Sequence, residues 1–375
     1  MDALTRLSGD SQTFCEKVWG RSIHVHRRDE GELSDLLSLG DVDTLVTSSG
    51  LRIPTVRLAQ DGAVLPSSRY TRTCRIGGVA VTGLVDGRKV LDLFAAGATV
   101  ILQGLHRYWP PLAGLVAELE DALGHPCQAN AYLTPAGAQG FARHRDTHDV
   151  FVLQTYGDKQ WEVEADAGLH QVLMEPGMCM YLPTGTAHSA RAQTDASLHI
   201  TVGINRILWG DVLTRAVRLQ LSAAGIDEPL PAGYHRDRAE FARAVEQHLG
   251  SLREAVAALD SDHLAASETA RFQTTRTASL KGGLVDRIQL GSLDDHTTVR
   301  RRHGSVLAVV PAGDRLRVLL GDREMRVPGW LGPALTYVED NQQLTPADLG
   351  ALLDPESRLV LVRRLVREGL LEVAR

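Results

Sequence analysis

Lysine is nearly missing from this chain. Of 40 basic residues only Lys17, Lys89, Lys159 and Lys281 are lysines; the others are arginines. Basic charge is not in excess either. The formal net charge is -6, which argues against generic nucleic-acid binding and against direct DNA binding, because both draw on a basic surface. Cysteine is scarce. Cys15, Cys74, Cys127 and Cys179 are scattered without a Cys-x-x-Cys pair, so reduced, mostly structural thiols of a cytoplasmic protein are expected. No apolar run approaches membrane-spanning length, so no membrane partner is expected. The start, MDALTRLSGDSQTF, lacks the charged-then-apolar pattern of a signal peptide. What remains is ordinary: 43% hydrophobic and 23% charged residues over 375 positions, enough for two or three globular domains with ample core.

One stretch organises the rest. Gly140 to Trp161 reads GFARHRDTHDVFVLQTYGDKQW. His144 and Asp146 are two apart, and in an extended chain residues two apart point the same way. An imidazole nitrogen and a carboxylate oxygen aimed at one point make half of a metal site. The missing histidine is His188, in Tyr181-Leu-Pro-Thr-Gly-Thr-Ala-His188. A lone His-x-Asp is common and is most often a surface pair; the surrounding residues decide here. His24 and His26 share the spacing. They sit beside Arg27 and Arg28 without an acidic partner, and are discounted. In so lysine-poor a chain, Lys159 inside the central stretch stands out.

Periodicity supplies the frame. Phe14–Trp19 reads as a short helix, Ser22–His26 as a strand, and Phe14–Leu58 as mostly helix and loop. Asp61-Gly62 marks a turn. Val90–Ala95 reads as a short helix and Ala98–Leu102 as a buried strand. Pro110 and Pro111 open an amphipathic helix, Leu112–Leu123, closed by Gly124. The pattern then turns to strands: Ala129–Leu133, Asp149–Gln154, Gln160–Val163, Met178–Leu182 and Leu198–Ile204. Short strands with Gly/Pro punctuation indicate an antiparallel sandwich or barrel. Leu208–Ala223 and Arg238–Leu259 read as long helices joined through Asp227–Pro231, and Thr274–Gly283 as a linker. The last part mixes strands (Val306–Val310, Leu316–Leu320) with two helices, one starting at Thr345-Pro346 and one over Leu359–Leu371, interrupted at Gly369.

Taken together, Asn130–Gly140 (NAYLTPAGAQG), His144-Arg-Asp146, Asp149–Gln154, Gly157-Asp-Lys159-Gln-Trp161 and Tyr181-Leu-Pro with His188 closely resemble the JmjC-type cupins of the ribosomal oxygenase family. The resemblance is strong over about Ala129–Ile204, looser before it, and architectural after it. It implies an α+β chain: a double-stranded β-helix (JmjC/cupin jelly-roll) catalytic domain with N-terminal helical elements over 1–205, a helical dimerisation domain over 206–275, and a winged-helix-like domain over 280–375. Basic and acidic residues nearly cancel across the last part, which fits packing or partner docking.

Two histidines and one carboxylate leave coordination positions open, the arrangement of non-heme Fe(II) oxygenases. The resemblance implies Fe(II) at His144, Asp146 and His188, with 2-oxoglutarate and O2 as co-substrates. It gives Lys159 the far carboxylate of 2-oxoglutarate, Asn130 and Thr201 hydrogen bonds to the co-substrate, and Tyr132 a place in the pocket wall. For these last three a purely structural role competes. His199 reads as a pocket residue, and His148 as near the site. A carboxylate at Asp146 argues against halogenation. The expected activity is hydroxylation of an amino-acid side chain in a protein, with a ribosomal protein as a candidate substrate, by a cytoplasmic homodimer. The alternatives are a hydroxylase of a small peptide or amino acid in natural-product biosynthesis, and a non-catalytic metal-binding cupin scaffold. The joint presence of His144, Asp146, His188 and Lys159 weighs against the scaffold.

Overall fold

Alternating burial in the middle of the chain builds two facing sheets. The computed structural model describes residues 2–28, 33–139, 141–165, 168–223, 226 and 228–374; Gly140 and Asp227, named above, lie outside them. The strands of the first part are β1 (His24–Arg27), β2 (Val56–Gln60), β3 (Ala63–Val64), β4 (Thr71–Ile76), β5 (Val79–Val85), β6 (Thr99–Leu102), β7 (Cys127–Thr134), β8 (His144–Arg145), β9 (Asp149–Tyr156), β10 (Lys159–Ala165), β11 (Gly168–Met174), β12 (Met178–Leu182), β13 (Ala187–Ala192) and β14 (Ser197–Ile204). One sheet runs β1-β12-β9-β14-β7-β6-β2-β3 and the facing one β11-β10-β13-β8, with antiparallel pairing throughout. This is the expected cupin jelly-roll. β4 and β5 pair only with each other.

β9 shows how one segment serves two cores. Its run DVFVLQT is buried throughout, as expected of a strand covered on both faces. Phe151 and Leu153 join the outer core, where helix Pro110–Leu123 packs through Leu112, Leu115, Val116 and Leu119. Val150 and Val152 join the inner core with Trp161, Val163, Met174, Met180 and Leu182. Each fully buried leucine of the helix contributes on the order of 1.5–3 kcal/mol. The helix begins at its prolines and ends at Gly124, whose φ of 69° gives the left-handed cap that the sequence indicated.

Some local readings change. Phe14–Trp19 is a single π-helical turn, Phe14–Val18, continuing a short helix Ser11–Thr13. Thr345-Pro346 carries the capping box of a helix start but opens only a 3₁₀ turn, Pro346–Leu349, stopped at Gly350. The helix expected over Leu359–Leu371 starts earlier, at Pro355 after its cap Asp354, and ends at Arg367. Gly369 then turns with a φ of 86°. The hairpin β4–β5 was not anticipated: most of its residues are exposed, so no apolar face marks it.

Helices Trp209–Ala223, Arg238–Ala257 and Ser261–Thr274 follow the jelly-roll. The final part has its own core, with Val299, Val318, Leu335, Leu361, Val362 and Leu365. Its strands β15 (Val299–Arg301), β16 (Ala308–Ala312), β17 (Arg315–Leu319), β18 (Glu324–Pro328), β19 (Gln343–Leu344) and β20 (Leu371–Val373) form the sheets β19-β15-β20 and β16-β17-β18. The stretch expected as a linker, Thr274–Gly283, is anchored. Arg276 is buried and reaches Glu120 at 3.4 Å, Asp121 at 3.0 Å and the carbonyl of Ala117 on helix Pro110–Leu123. Among the described residues no helix is long and apolar enough to cross a membrane.

Candidate metal centre

The register of the smaller sheet brings three candidate ligands together, His144 and Asp146 from one stretch and His188 from another. β8 pairs with β13 so that His144 lies opposite His188. Antiparallel partners share a face, and the two rings meet edge to face with centroids 4.5 Å apart. Asp146 follows β8, and its carbonyl accepts the Gly185 N–H at 2.9 Å, which ties it to the turn before His188. Its carboxylate lies 3.7 Å from Nε2 of each histidine. The three ligand atoms lie within 4.8 Å of one another. Each histidine places Nδ1 2.9 Å from a backbone carbonyl, His144 on Ala142 and His188 on Thr186. Donation from Nδ1–H leaves Nε2 as a lone-pair donor aimed at the shared point, the tautomer that metal-binding histidines adopt. Burial holds the His188 pKa below its ordinary value, which favours the neutral form.

Behind the triad, a buried carboxylate steadies the same turn. Asp149 accepts hydrogen bonds from Tyr181 Oη at 2.5 Å, Thr184 N at 2.8 Å and Thr184 Oγ1 at 2.6 Å, and faces Arg206 Nε at 3.4 Å. These bonds pin Thr184, next to Gly185, to the first residue of β9.

The triad opens on a cavity of about 280 Å³ between the sheets. Lys159 stands in its wall at the start of β10, 3% exposed. Its Nζ donates to Thr134 Oγ1 at 2.8 Å and lies 3.4 Å from His199 Nδ1. Among the described residues no carboxylate pairs with it. Burial alone pushes its pKa down to about 7. A buried cation without a counter-charge is costly, and an incoming anion removes that cost.

The other predicted residues also line the cavity. Asn130 and Thr201 are register partners on β7 and β14. Asn130 Oδ1 already accepts the Gly104 N–H at 3.0 Å, so this side chain has a structural duty. Tyr132 stacks on His199 at 4.9 Å, with the planes 4° apart. His199 is buried, and burial, then Lys159 and His188, hold its pKa well below the ordinary value. His148 is half-buried against Gly203, where a Cβ would come within 2.6 Å of its ring. Trp161 keeps a buried Nε1 with no hydrogen-bond partner.

Three arginines change the sequence picture. Arg143 and Arg145, the nearest cations to the triad in sequence, alternate to the opposite face and pair with Glu164 at 3.3 and 2.8 Å. Arg57 of β2 lines the cavity instead, with a buried Nε that lacks a hydrogen-bond partner. It was missed because it lies far upstream in an unremarkable strand. Only its register beside Ile101 and Tyr132 brings it in.

The comparisons with known proteins bear on the same strands. The model of the JmjC domain matches residues 115–168 and 163–212. Ribosomal oxygenase 1 of Rattus norvegicus is 30% identical over 239 residues, 56% of this chain and 38% of that protein. The bifunctional lysine-specific demethylase and histidyl-hydroxylase NO66 of Branchiostoma floridae is 39% identical over 144 residues, 38% of this chain and 24% of that protein. The chain thus spans less than two fifths of the length of these relatives. The ribosomal oxygenase YcfD of Escherichia coli, solved in complex with cobalt and 2-oxoglutarate, superimposes with a TM-score of 0.59 at 19% identity, covering 96% of this chain and 97% of that one. Residues 115–212 of this chain are thus similar to the JmjC domain, and its fold, along almost its whole length, is the fold seen in YcfD.

Proposed function

We propose that this protein is an Fe(II)- and 2-oxoglutarate-dependent oxygenase that hydroxylates a side chain of a ribosomal protein. One observation carries the reading: a two-histidine, one-carboxylate cluster and a buried lysine without a counter-charge share one cavity. The donor set suits Fe(II). Both imidazoles are held as Nε2 donors, and Asp146 supplies the negative charge. A bound Fe(II), with 2-oxoglutarate and O2, supplies the oxidising power for C–H hydroxylation. The protein's own part is placement. His144, Asp146 and His188 hold the metal at the cavity mouth. Lys159 takes the far carboxylate of 2-oxoglutarate, with Thr134 orienting its ammonium and Asn130 and Thr201 along the cavity floor. The stacked pair Tyr132 and His199 walls the cavity, and Trp161 and Val152 keep its inner end apolar. That YcfD was solved with cobalt and 2-oxoglutarate supports the pairing of cluster and cavity. A ribosomal-protein substrate is supported by the names of the relatives and of the structural neighbour. The purified protein, given Fe(II), 2-oxoglutarate and an extract of its host, is expected to yield a ribosomal-protein peptide carrying one added oxygen by mass spectrometry. Oxidation confined to small peptides or free amino acids would move the substrate class; no oxidation, with no 2-oxoglutarate consumed, would remove the activity.

The same reading includes a cytoplasmic homodimer joined through the helical region over 206–275, with the winged-helix-like part over 280–375 as a packing or partner-docking module. Support for the dimer comes from apolar surface on and beside these helices. Trp209 is 79% exposed, Leu219 71%, and Leu284 and Ile288 82% each. Large exposed apolar side chains of this kind, where they form one patch, mark association surfaces. Trp209→Glu combined with Leu219→Glu is expected to convert a dimer to a monomer in light scattering, with the melting temperature of the jelly-roll retained. A double variant that stays dimeric places the interface elsewhere.

A further inference from the structure

The net charge of -6 hides a strong local departure. Residues 51–95 hold seven cations against three acids, Asp61, Asp86 and Asp92. One of the seven, Arg57, faces the cavity. The other six, Arg52, Arg69, Arg72, Arg75, Arg88 and Lys89, are all exposed. They are gathered on the hairpin β4–β5, the segments at its base, and helix Gly87–Ala95 that follows it. Among the described residues none of the six forms an ion pair, although arginines elsewhere along the chain are paired repeatedly. Asp86 is engaged as the cap of the helix, accepting the Lys89 N–H. Three of the cations are held by backbone carbonyls: Arg52 on Thr82 at 2.7 Å, Arg75 on Gly78 at 2.7 Å and Lys89 on Thr71 at 3.0 Å. The last bond joins helix and hairpin into one surface.

Packing accounts for the base of this arm, where Tyr70 and Val85 join the outer core, but not for its charged outer part. A lone two-stranded ribbon is marginal, and gathering like charges on it costs further free energy. Its base is fastened to the segment that leads into β2, through Val85 N to Leu51 O at 2.9 Å and Ile53 N to Gly83 O at 3.0 Å. That segment runs on into β2, which carries Arg57 into the cavity wall.

We propose that this basic hairpin is a docking surface for the phosphate backbone of RNA. Arginine forks match phosphate oxygens, and five of the six exposed cations are arginines. β4 and β5 contain no aromatic residue, so base stacking, the usual grip on unpaired strands, is absent, and contact is to backbone and shape. A membrane surface is disfavoured: at the tip only Ile76 (64% exposed) and Val79 (69%) are apolar, and interfacial aromatics are lacking. The choice of RNA over DNA rests on the ribosomal-protein substrate proposed above, since such a protein presents itself beside RNA. The arm would then hold the RNA while the protein side chain enters the cavity.

The test uses the full chain without metal or 2-oxoglutarate, so its outcome is independent of turnover. A fluorescein-labelled RNA stem-loop is titrated by anisotropy at several salt concentrations. The parent is expected to bind with an affinity that falls steeply with salt. The combined variant Arg69→Ser, Arg72→Ser, Arg75→Ser should lose at least tenfold in affinity at low salt and flatten the log–log salt slope by about 2 to 3 for three lost phosphate contacts. The same three positions changed to Lys should keep most of the slope, which separates lost charge from lost fold. Unchanged binding in the Ser variant overturns the proposal. Equal competition by poly-glutamate, by phosphatidylserine vesicles or by duplex DNA overturns it in favour of an acidic protein, a membrane or DNA respectively.

Discussion

His144→Ala, Asp146→Ala and His188→Ala are each expected to abolish the proposed 2-oxoglutarate turnover while the protein stays folded. Each removes one of three donors, and two donors do not hold a labile divalent metal in a geometry fit for chemistry. The cost to the fold differs among them. His144 is exposed and Asp146 half-buried, so their removal leaves the cores intact and shifts stability by less than about 1 kcal/mol. His188 is buried, ring against ring with His144 and Trp161, so its truncation leaves a small void and costs on the order of 1–3 kcal/mol. Co(II) titration followed by visible absorption, beside a thermal melt, separates the two effects. Lost cobalt binding with a retained cooperative melt is the expected pair. Full turnover in any one of the three variants removes that residue from the metal.

How much of this was legible beforehand depends on where each residue's partners lie. His144 and Asp146 were legible because strand alternation is a local rule. His188 was legible as a candidate, but its meeting with His144 depends on the β8–β13 register, which no spacing in the chain encodes. Lys159 stood out by scarcity and by resemblance; that it lacks an acidic partner is a fact of packing. Arg57 was not legible at all, because only the β2–β6–β7 pairing carries it to the cavity. Arg143 and Arg145, the cations nearest the triad in sequence, are turned away by the same alternation that aligned His144 with Asp146, and pair with Glu164. A whole-chain balance of -6 averages over a basic arm and an acidic remainder, and partners meet surfaces, not sums. The long helices and the cap at Gly124 were read well, since periodicity and caps act within a few residues. The hairpin β4–β5 was missed because a ribbon exposed on both faces has no apolar stripe to betray it.

Lys159→Ala is expected to weaken 2-oxoglutarate binding without touching the metal. The lysine is buried, and among the described residues its hydrogen-bond partners are Thr134 and His199. Removing it leaves the far carboxylate of the co-substrate desolvated without a counter-charge. A charge-assisted bond of this kind is worth about 1.5–3 kcal/mol, so affinity falls roughly ten- to hundredfold. Metal affinity without co-substrate stays within about twofold, because Lys159 makes no contact with the three ligands. The pH dependence gives an independent handle. Burial lowers the Lys159 pKa from 10.5 to about 7. Between those values the unfolded chain binds the proton and the folded one does not. The burial penalty on stability is therefore fully present below pH 7 and is relieved as pH rises toward 10.5. Co-substrate runs the other way. Its carboxylate restores the charged ammonium, so binding above pH 7 takes up a proton and affinity declines as pH rises from about 7 to 9. Lys159→Arg, charged at every pH in this range, should retain part of the affinity and lose that decline. Anaerobic titration of 2-oxoglutarate into the Co(II)-loaded protein at three pH values measures all of it. If Lys159→Ala binds as tightly as the parent, the lysine is a packing residue, and Arg57, the other cation in the cavity wall, takes the carboxylate instead.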